Sequence, residues 1–170
     1  MRSNSRLVAQ AVVLVAIGVA LAPFTSFPVG IARINPTQHF VNVVAAVLLG
    51  PWWAVAIAAI IGALRNVMGV GTVLAFPGGM IGAFLAGYVY RLTRNMYLGA
   101  LGEIVGTGFI AAIVSALVVA PVFMGQTMAV GLLIASFLGS TLVGAVIGVL
   151  ALKLLERAGF VEAREEPARL

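Results

Sequence analysis

The chain has 170 residues, of which 62% are hydrophobic and 9% are charged, and it contains no cysteine. A soluble domain carries about 45–50% apolar and about 25% charged residues, so this chain has too little polar surface to cover a water-soluble globule. Its apolar content also excludes a disordered chain. The class that remains is an integral membrane protein. Thiolate chemistry is excluded, and a single histidine, His39, excludes a histidine-cluster metal site within one chain.

The net charge of +5 does not indicate a nucleic-acid partner. The ten basic residues stand singly or in pairs, without the patch that a phosphate backbone requires. In a membrane protein, their placement reports the orientation of the chain in the bilayer instead.

Long apolar runs predict the transmembrane helices, each of which needs roughly 20 residues to cross a bilayer. The runs cover residues 7–22, 37–64, 72–90, 97–120 and 127–155. Gly50-Pro51 interrupts the second run, because glycine ends helices and proline lacks a backbone donor. A break at this point predicts an all-α membrane protein of six transmembrane helices.

The basic residues favour the same count. With six spans, Arg33 and Arg65 lie on one side of the membrane, and the other eight basic residues lie on the opposite side with both termini. With five spans, only three lie with the N-terminus and seven lie opposite. The positive-inside bias therefore favours six spans with cytoplasmic termini. The eight residues are Arg2, Arg6, Arg91, Arg94, Lys153, Arg157, Arg164 and Arg169.

We expect one transmembrane domain over residues 1–156 and a charged cytoplasmic tail over residues 157–170. Spans two and three are short for a bilayer, and short or Gly/Pro-interrupted segments indicate a binding cavity. Small residues replace the hydrophobic effect in packing membrane helices. Ala9, Ala16 and Ala20 share one face of the first span. Their spacing fits packing within the bundle, or a flat docking face for another membrane subunit.

Polar residues cluster toward the predicted outer side, where they could converge on a pocket for a small ligand with a ring and a few hydrogen-bonding atoms. The alternative interpretation is interfacial anchoring, which fits Arg33 well, and helix capping. Gln38 and Asn42 are four residues apart and share a helix face. The candidate ligand contacts are Asn35, Gln38, His39, Asn42, Arg65 and Asn66, with Phe76 as part of an apolar floor.

Glu103 is the only acid within a span, roughly two turns from the cytoplasmic end of span five. It could pair with an arginine, accept a proton, or bond a neighbouring helix through Thr107, so a structural pair and a ligand contact are both open. No Walker A motif and no credible catalytic triad occurs. We therefore expect no enzyme activity and no cofactor, but a binding subunit or a passive pore.

Four segments carry a resemblance to a known family, in the order Asn35-Pro36-Thr37-Gln38-His39-Phe40-Val41-Asn42-Val43 with Leu49-Gly50-Pro51-Trp52-Trp53-Ala54, then Leu64-Arg65-Asn66, then Phe76-Pro77-Gly78-Gly79-Met80-Ile81-Gly82-Ala83, then Gly102-Glu103-Ile104-Val105-Gly106-Thr107-Gly108. Together they resemble ThiW, a family of substrate-binding S components of energy-coupling-factor (ECF) transporters. The resemblance covers roughly residues 5–155.

The resemblance implies a six-helix S-component fold in a prokaryotic plasma membrane and a thiamin precursor as substrate, with hydroxyethylthiazole as the expected ligand. It also implies two kinds of partner, a transmembrane coupling subunit and two cytoplasmic ATPases. In such systems the small-residue face of the first helix docks the coupling subunit, which assigns that role to Ala9, Ala16 and Ala20. Val13 interrupts their repeat.

A small neutral heterocycle agrees with the polar cluster, since it needs stacking and one or two hydrogen-bond donors. Cationic thiamin would favour a carboxylate at the outer pocket, and the sequence predicts none there. The alternatives are an S component for another vitamin or precursor, a small homo-oligomeric channel, and a structural membrane protein.

Overall fold

The computed structural model describes residues 4–29 and 32–159. Most of the predicted cytoplasmic tail, from residue 160 onward, lies outside the described residues. In chain order, the described elements are α1 (Asn4–Thr25), β1 (Phe27–Val29), β2 (Ala32–Ile34), α2 (Pro36–Leu49), α3 (Pro51–Val67), α4 (Ala75–Thr93), α5 (Met96–Met124) and α6 (Val130–Arg157).

The predicted division at Gly50-Pro51 is confirmed. Gly50 has φ 92°, a left-handed conformation that favours glycine, and its N–H bonds to the carbonyl of Ala46 to end α2. Pro51 follows at the first position of α3, where a helix does not need the missing N–H. The two short helices therefore meet at a single residue.

The six helices in the described part of the chain form one bundle, which confirms the predicted fold class. Three of these helices, α1, α5 and α6, are long and apolar enough to cross a membrane, while α2 and α3 are shorter apolar helices. α2 is only about 21 Å long at 1.5 Å per residue. It packs against α1, α3, α4, α5 and α6, so most of its residues are buried within the bundle.

The helix ends lie at the two ends of the bundle in the alternating order that six spans require. Lys153 in α6 lies over the ring of Tyr97 in α5, with Nζ 5.3 Å from the ring centroid. Arg65 near the end of α3 and Ser26 after α1 meet at the other end of the bundle. We refer to this second end, which carries β1 and β2, as the hairpin end.

The antiparallel pair β1–β2 was not predicted by the sequence. It pairs Phe27 with Ile34 and Val29 with Ala32, and it follows directly on α1. Helix α1 itself continues past Pro23, where the predicted run ended. The hydroxyl of Thr25 bonds the carbonyl of Leu21 at 2.9 Å and stabilises this last turn.

Helix α5 also extends beyond its predicted end at Pro121. It contains two π-helical turns, Gly106–Ala111 and Ser115–Val119, and continues to Met124. Pro121 lies at the start of the α-helical segment that follows the second π-helical turn. At that position the absence of its N–H costs little. π-helical turns inside α-helices occur frequently at functional sites.

Candidate functional site

A cavity opens at the hairpin end of the bundle; it offers about 20 Å³ to the centre of a water-sized sphere, within about 320 Å³ of unfilled space that includes its open mouth. It is lined by residues of β2, of all five helices from α2 to α6, and of the loop before α4. We call it the outer cavity. Its lining residues are Arg33, Ile34, Asn35, Gln38, His39, Arg65, Leu74, Ala75, Gly78, Gly79, Thr107, Phe137 and Ser140.

Beside the outer cavity, hydrogen bonds to Glu103 join α2 to α5. The Nδ1 atom of His39 lies 2.9 Å from Oε1 of Glu103, and Nδ2 of Asn42 donates to the same oxygen at 3.0 Å. Asn42 Nδ2 also lies 3.0 Å from the carbonyl oxygen of Gly79 in α4. Three helices therefore hold this group of side chains in one geometry.

Thr107 adds a further link between α4 and α5. Its hydroxyl lies 2.6 Å from the carbonyl oxygen of Gly78 and 3.1 Å from Oε1 of Glu103. Thr107 follows Glu103 by one helical turn, so the two side chains lie on the same face of α5. This pairing was one of the roles that the sequence left open for Glu103.

Glu103 lies behind the wall of the outer cavity. The described residues that line the cavity include no Asp or Glu, and the fully buried Glu103 bonds the lining residue His39. This contact joins the first turn of α2, where His39 lies, to the eighth residue of α5.

Gly82 in α4 makes room for the carboxylate of Glu103. A Cβ atom at this position would lie 2.7 Å from Oε2 of Glu103 and would also collide with Thr107. Oε2 has no hydrogen-bond partner among the described residues. The close approach of α4 to α5 thus depends on a glycine at residue 82.

Arg65 is the largest fully buried side chain among the described residues, at 2% exposure. Its Nη1 donates to Oε1 of Gln38, and its Nη2 lies 3.4 Å from both Ser26 Oγ and the carbonyl oxygen of Val70. The sequence predicted Arg65 at the end of span three. In the structure α3 continues two residues further, to Val67, and the Arg65 side chain is buried.

Asn35 and Gln38 line the cavity and also organise its wall. The Oδ1 atom of Asn35 accepts from the backbone N–H of Gln38 at 2.8 Å and caps α2, as the capping interpretation proposed. The Nδ2 atom of Asn35 donates to Ser26 Oγ at 2.8 Å. The start of α2 is therefore tied to the segment between α1 and the hairpin.

Four predicted site residues do not line the outer cavity: Asn42 and Glu103, which bond each other behind His39, and Asn66 and Phe76. Asn66 donates through Nδ2 to the carbonyls of Gly62 at 2.8 Å and Thr72 at 3.1 Å, and so fixes the loop after α3. Phe76 packs against Gly62 of α3. Asn66 and Phe76 therefore connect α3 to the start of α4 and the loop before it.

The aromatic wall of the outer cavity is Phe137 of α6, which the sequence analysis missed. It packs against Gly78 of α4 and is buried. Ser140 lies one turn further along α6, lines the cavity, and has no hydrogen-bond partner for its hydroxyl among the described residues. The signal for Ser140 was the pattern of small polar residues, Ser136, Ser140 and Thr141, in an otherwise apolar span.

The two sets of small residues on α1 face opposite directions. Gly18 and Ala22 are buried, and Gly18 packs against Ile61 of α3. Ala9, Ala16 and Ala20 are exposed on the other face. Within the described bundle, packing therefore does not account for these three alanines.

Fold and cavity together define the class. The bundle has the S-component fold of ECF transporters: it is similar to the solved structure of the S component of a bacterial ECF transporter, at a TM-score of 0.75 and 17% sequence identity, covering 95% of this chain and 100% of that chain. The family model described as thiamine-precursor transporter protein (ThiW) matches residues 8–158. The chain therefore belongs to the ThiW family, which confirms the resemblance seen in the sequence. No curated protein matches the chain.

Family and fold identify a multi-pass membrane protein that serves transport and is not an enzyme.

Proposed function

We propose that the chain is the substrate-binding S component of an ECF importer and takes up a thiamin precursor, hydroxyethylthiazole, through the outer cavity. The observation that carries this proposal is the composition of that cavity. It combines an aromatic ring, Phe137, with the polar side chains of His39, Thr107 and Ser140 on three different helices. Apolar pockets with a few convergent polar groups are typical of small-ligand sites.

The chemistry of the ligand matches these groups. The thiazole ring is flat and apolar enough to pack against Phe137 and Leu74. The hydroxyl group of its hydroxyethyl arm can both donate and accept a hydrogen bond. It can therefore pair with a serine hydroxyl and with a histidine ring nitrogen. His39 holds Glu103 through Nδ1, so its Nε2 remains available to the ligand.

Glu103 acts through His39 in this proposal. A carboxylate bonded to one ring nitrogen fixes the orientation of the imidazole and the hydrogen at Nδ1. Nε2 then offers a lone pair to the hydroxyl group of the ligand. Asn42 bonds the same carboxylate oxygen and so serves as a further positioning residue.

Cationic thiamin is the alternative ligand, and the burial of Glu103 beside the cavity is the observation in its favour. Two guanidinium groups, Arg33 and Arg65, line the cavity itself, whereas Glu103 lies behind His39. The charge nearest to a ligand is therefore positive, which disfavours cationic thiamin.

The exposed face of α1 supports a docking role for Ala9, Ala16 and Ala20. Val13 is 57% exposed among them, so the face is continuous along four helical positions. Small residues allow a partner helix to approach closely in a membrane. We propose that this face contacts the transmembrane coupling subunit, and that two cytoplasmic ATPases complete the importer.

In this cycle the chain captures its ligand from outside a prokaryotic plasma membrane, with both termini in the cytoplasm. The loaded S component then reorients in the membrane, and ATP hydrolysis by the partner subunits resets the cycle. The chain itself contributes the ligand site and the docking face.

Isothermal calorimetry of the detergent-purified chain tests the proposal with three ligands, hydroxyethylthiazole, its pyrimidine counterpart and thiamin. We expect saturable binding of hydroxyethylthiazole and weaker or no binding of the other two. Preferential binding of thiamin would assign Glu103 the role of counter-charge. Absence of binding by all three would refute the assignment of a thiamin precursor.

A further inference from the structure

Arg65 is a buried cation without an ionic partner among the described residues. Its guanidinium contacts uncharged oxygens, those of Gln38, Ser26 and Val70. Its Nε is buried and has no acceptor in the described part of the chain. Because burying an unpaired charge is unfavourable, such a group indicates that a counter-charge is supplied from elsewhere.

A second cation faces the same space. Arg33 on β2 also lines the outer cavity, and its positive charge repels that of Arg65. Two like charges that converge on one cavity raise the electrostatic cost of leaving that cavity without an anion.

The acids in the described segments do not neutralise this pair. They are Glu103 and Glu156. Glu103 is held by His39 and Asn42, and the ion pair found in residues 4–29 and 32–159 is His39–Glu103. Glu156 lies at the far end of α6, on the opposite side of the bundle.

An uncharged hydrogen-bond donor, Ser140, lines the same cavity as Arg33 and Arg65. The hydroxyl of Ser140 is buried at 1% residue exposure, lines the cavity, and has no partner within the described residues. A guanidinium and a hydroxyl both donate to the oxygens of a carboxylate or a phosphate, and arginine binds such planar or tetrahedral anions through two parallel bonds.

We infer that the Arg65–Arg33 side of the outer cavity is an anion subsite, so that the site prefers a thiamin precursor bearing a carboxylate or phosphate-ester group over the neutral alcohol. This inference rests on the proposed function, since it takes the outer cavity as the substrate site. Carboxylate and phosphate ester share the chemistry that the two arginines recognise, namely negatively charged acceptor oxygens.

The test is calorimetry of the purified full chain with four probes. These are hydroxyethylthiazole, its phosphate ester, the analogue in which a carboxylate group replaces the terminal CH2OH group, and inorganic phosphate. A hydrogen bond to a charged partner strengthens binding by about tenfold to a hundredfold. We therefore expect at least one anionic thiazole to bind about tenfold or more tightly than the alcohol, and tighter than inorganic phosphate.

Variants then locate the subsite. Arg65→Gln should reduce the ratio of anion affinity to alcohol affinity to about one, and Arg33→Gln should reduce it in part. Arg91→Gln, at the opposite end of the bundle, is the matched control and should keep the wild-type ratio. Arg33 is exposed on the hairpin, so its variant carries the test if Arg65→Gln fails to fold.

The outcomes separate the two proposals. If the alcohol binds the wild type as tightly as both anions, the anion subsite is refuted while the proposed function stands. If no thiazole binds, the proposed function itself fails. The inference would also be overturned if Arg33→Gln and a folded Arg65→Gln both kept the wild-type ratio of anion affinity to alcohol affinity. It would equally be overturned if the phosphate ester bound no more tightly than inorganic phosphate.

Discussion

Replacement of Glu103 by Gln tests whether the carboxylate positions His39 for the ligand. The change keeps the size of the side chain and removes its charge. In the structure, Oε1 of Glu103 meets Nδ1 of His39 at 2.9 Å and Nδ2 of Asn42 at 3.0 Å. A glutamine oxygen can accept both hydrogen bonds, but only as a neutral acceptor.

The magnitude follows from the difference between charged and neutral acceptors. A hydrogen bond to a charged group contributes about 1.5–3 kcal/mol and one between neutral groups about 0.5–1.5 kcal/mol. Each bond is thus weakened by about 1–1.5 kcal/mol. The loss of the buried charge also removes a desolvation cost, which offsets the change in folding stability.

We therefore expect Glu103→Gln to change stability by less than about 1 kcal/mol but to weaken ligand binding by about tenfold, since 1.4 kcal/mol corresponds to a factor of ten. Calorimetry with hydroxyethylthiazole measures the affinity, and thermal unfolding in detergent measures the stability. Glu156→Gln, at the other end of the bundle, should bind like the wild type. Wild-type affinity in a folded Glu103→Gln protein would refute the role of the carboxylate in binding.

Three further predictions follow from the same geometry. His39→Ala should lower the affinity for hydroxyethylthiazole by about tenfold to a hundredfold in calorimetry, because it removes a polar group from the cavity wall; an unchanged affinity would exclude His39 from the site. Gly82→Ala should destabilise the bundle by about 1–3 kcal/mol in denaturant unfolding, because the added Cβ would collide with Glu103. The control Gly139→Ala has open space around it and should have little effect, and equal stabilities of the two variants would contradict the tight packing at Gly82. Ala16→Trp should keep ligand binding but prevent co-purification with the coupling subunit, and normal assembly would remove this face of α1 from the interface.

The fold was largely predictable from the sequence because membrane helices depend on simple signals. Apolar run length located the spans, and Gly50-Pro51 located the division between α2 and α3. The signals failed where backbone geometry departs from a regular helix. The hairpin after α1 and the π-helical turns of α5 have no apolar periodicity that would reveal them.

The candidate site was predictable only in part. Polarity at membrane depth correctly selected Gln38, His39 and Arg65 as residues that meet in one cavity. It could not show that Glu103 would join His39, because that contact depends on how α2 and α5 pack against each other. Phe137 was missed for a different reason, since an aromatic residue in an apolar span carries no mark of the cavity that it faces.

The short central helix has a consequence for how the protein enters the membrane. α2 is 14 residues long and carries Gln38, His39 and Asn42, all of which are buried against other helices in the finished bundle. Alone in lipid, such a segment would leave these amide and imidazole groups without partners. The tight turn at Gly50 makes α2 and α3 a natural pair for joint insertion, and His39 and Asn42 meet their partners Glu103 and Gly79 only once α4 and α5 have been inserted.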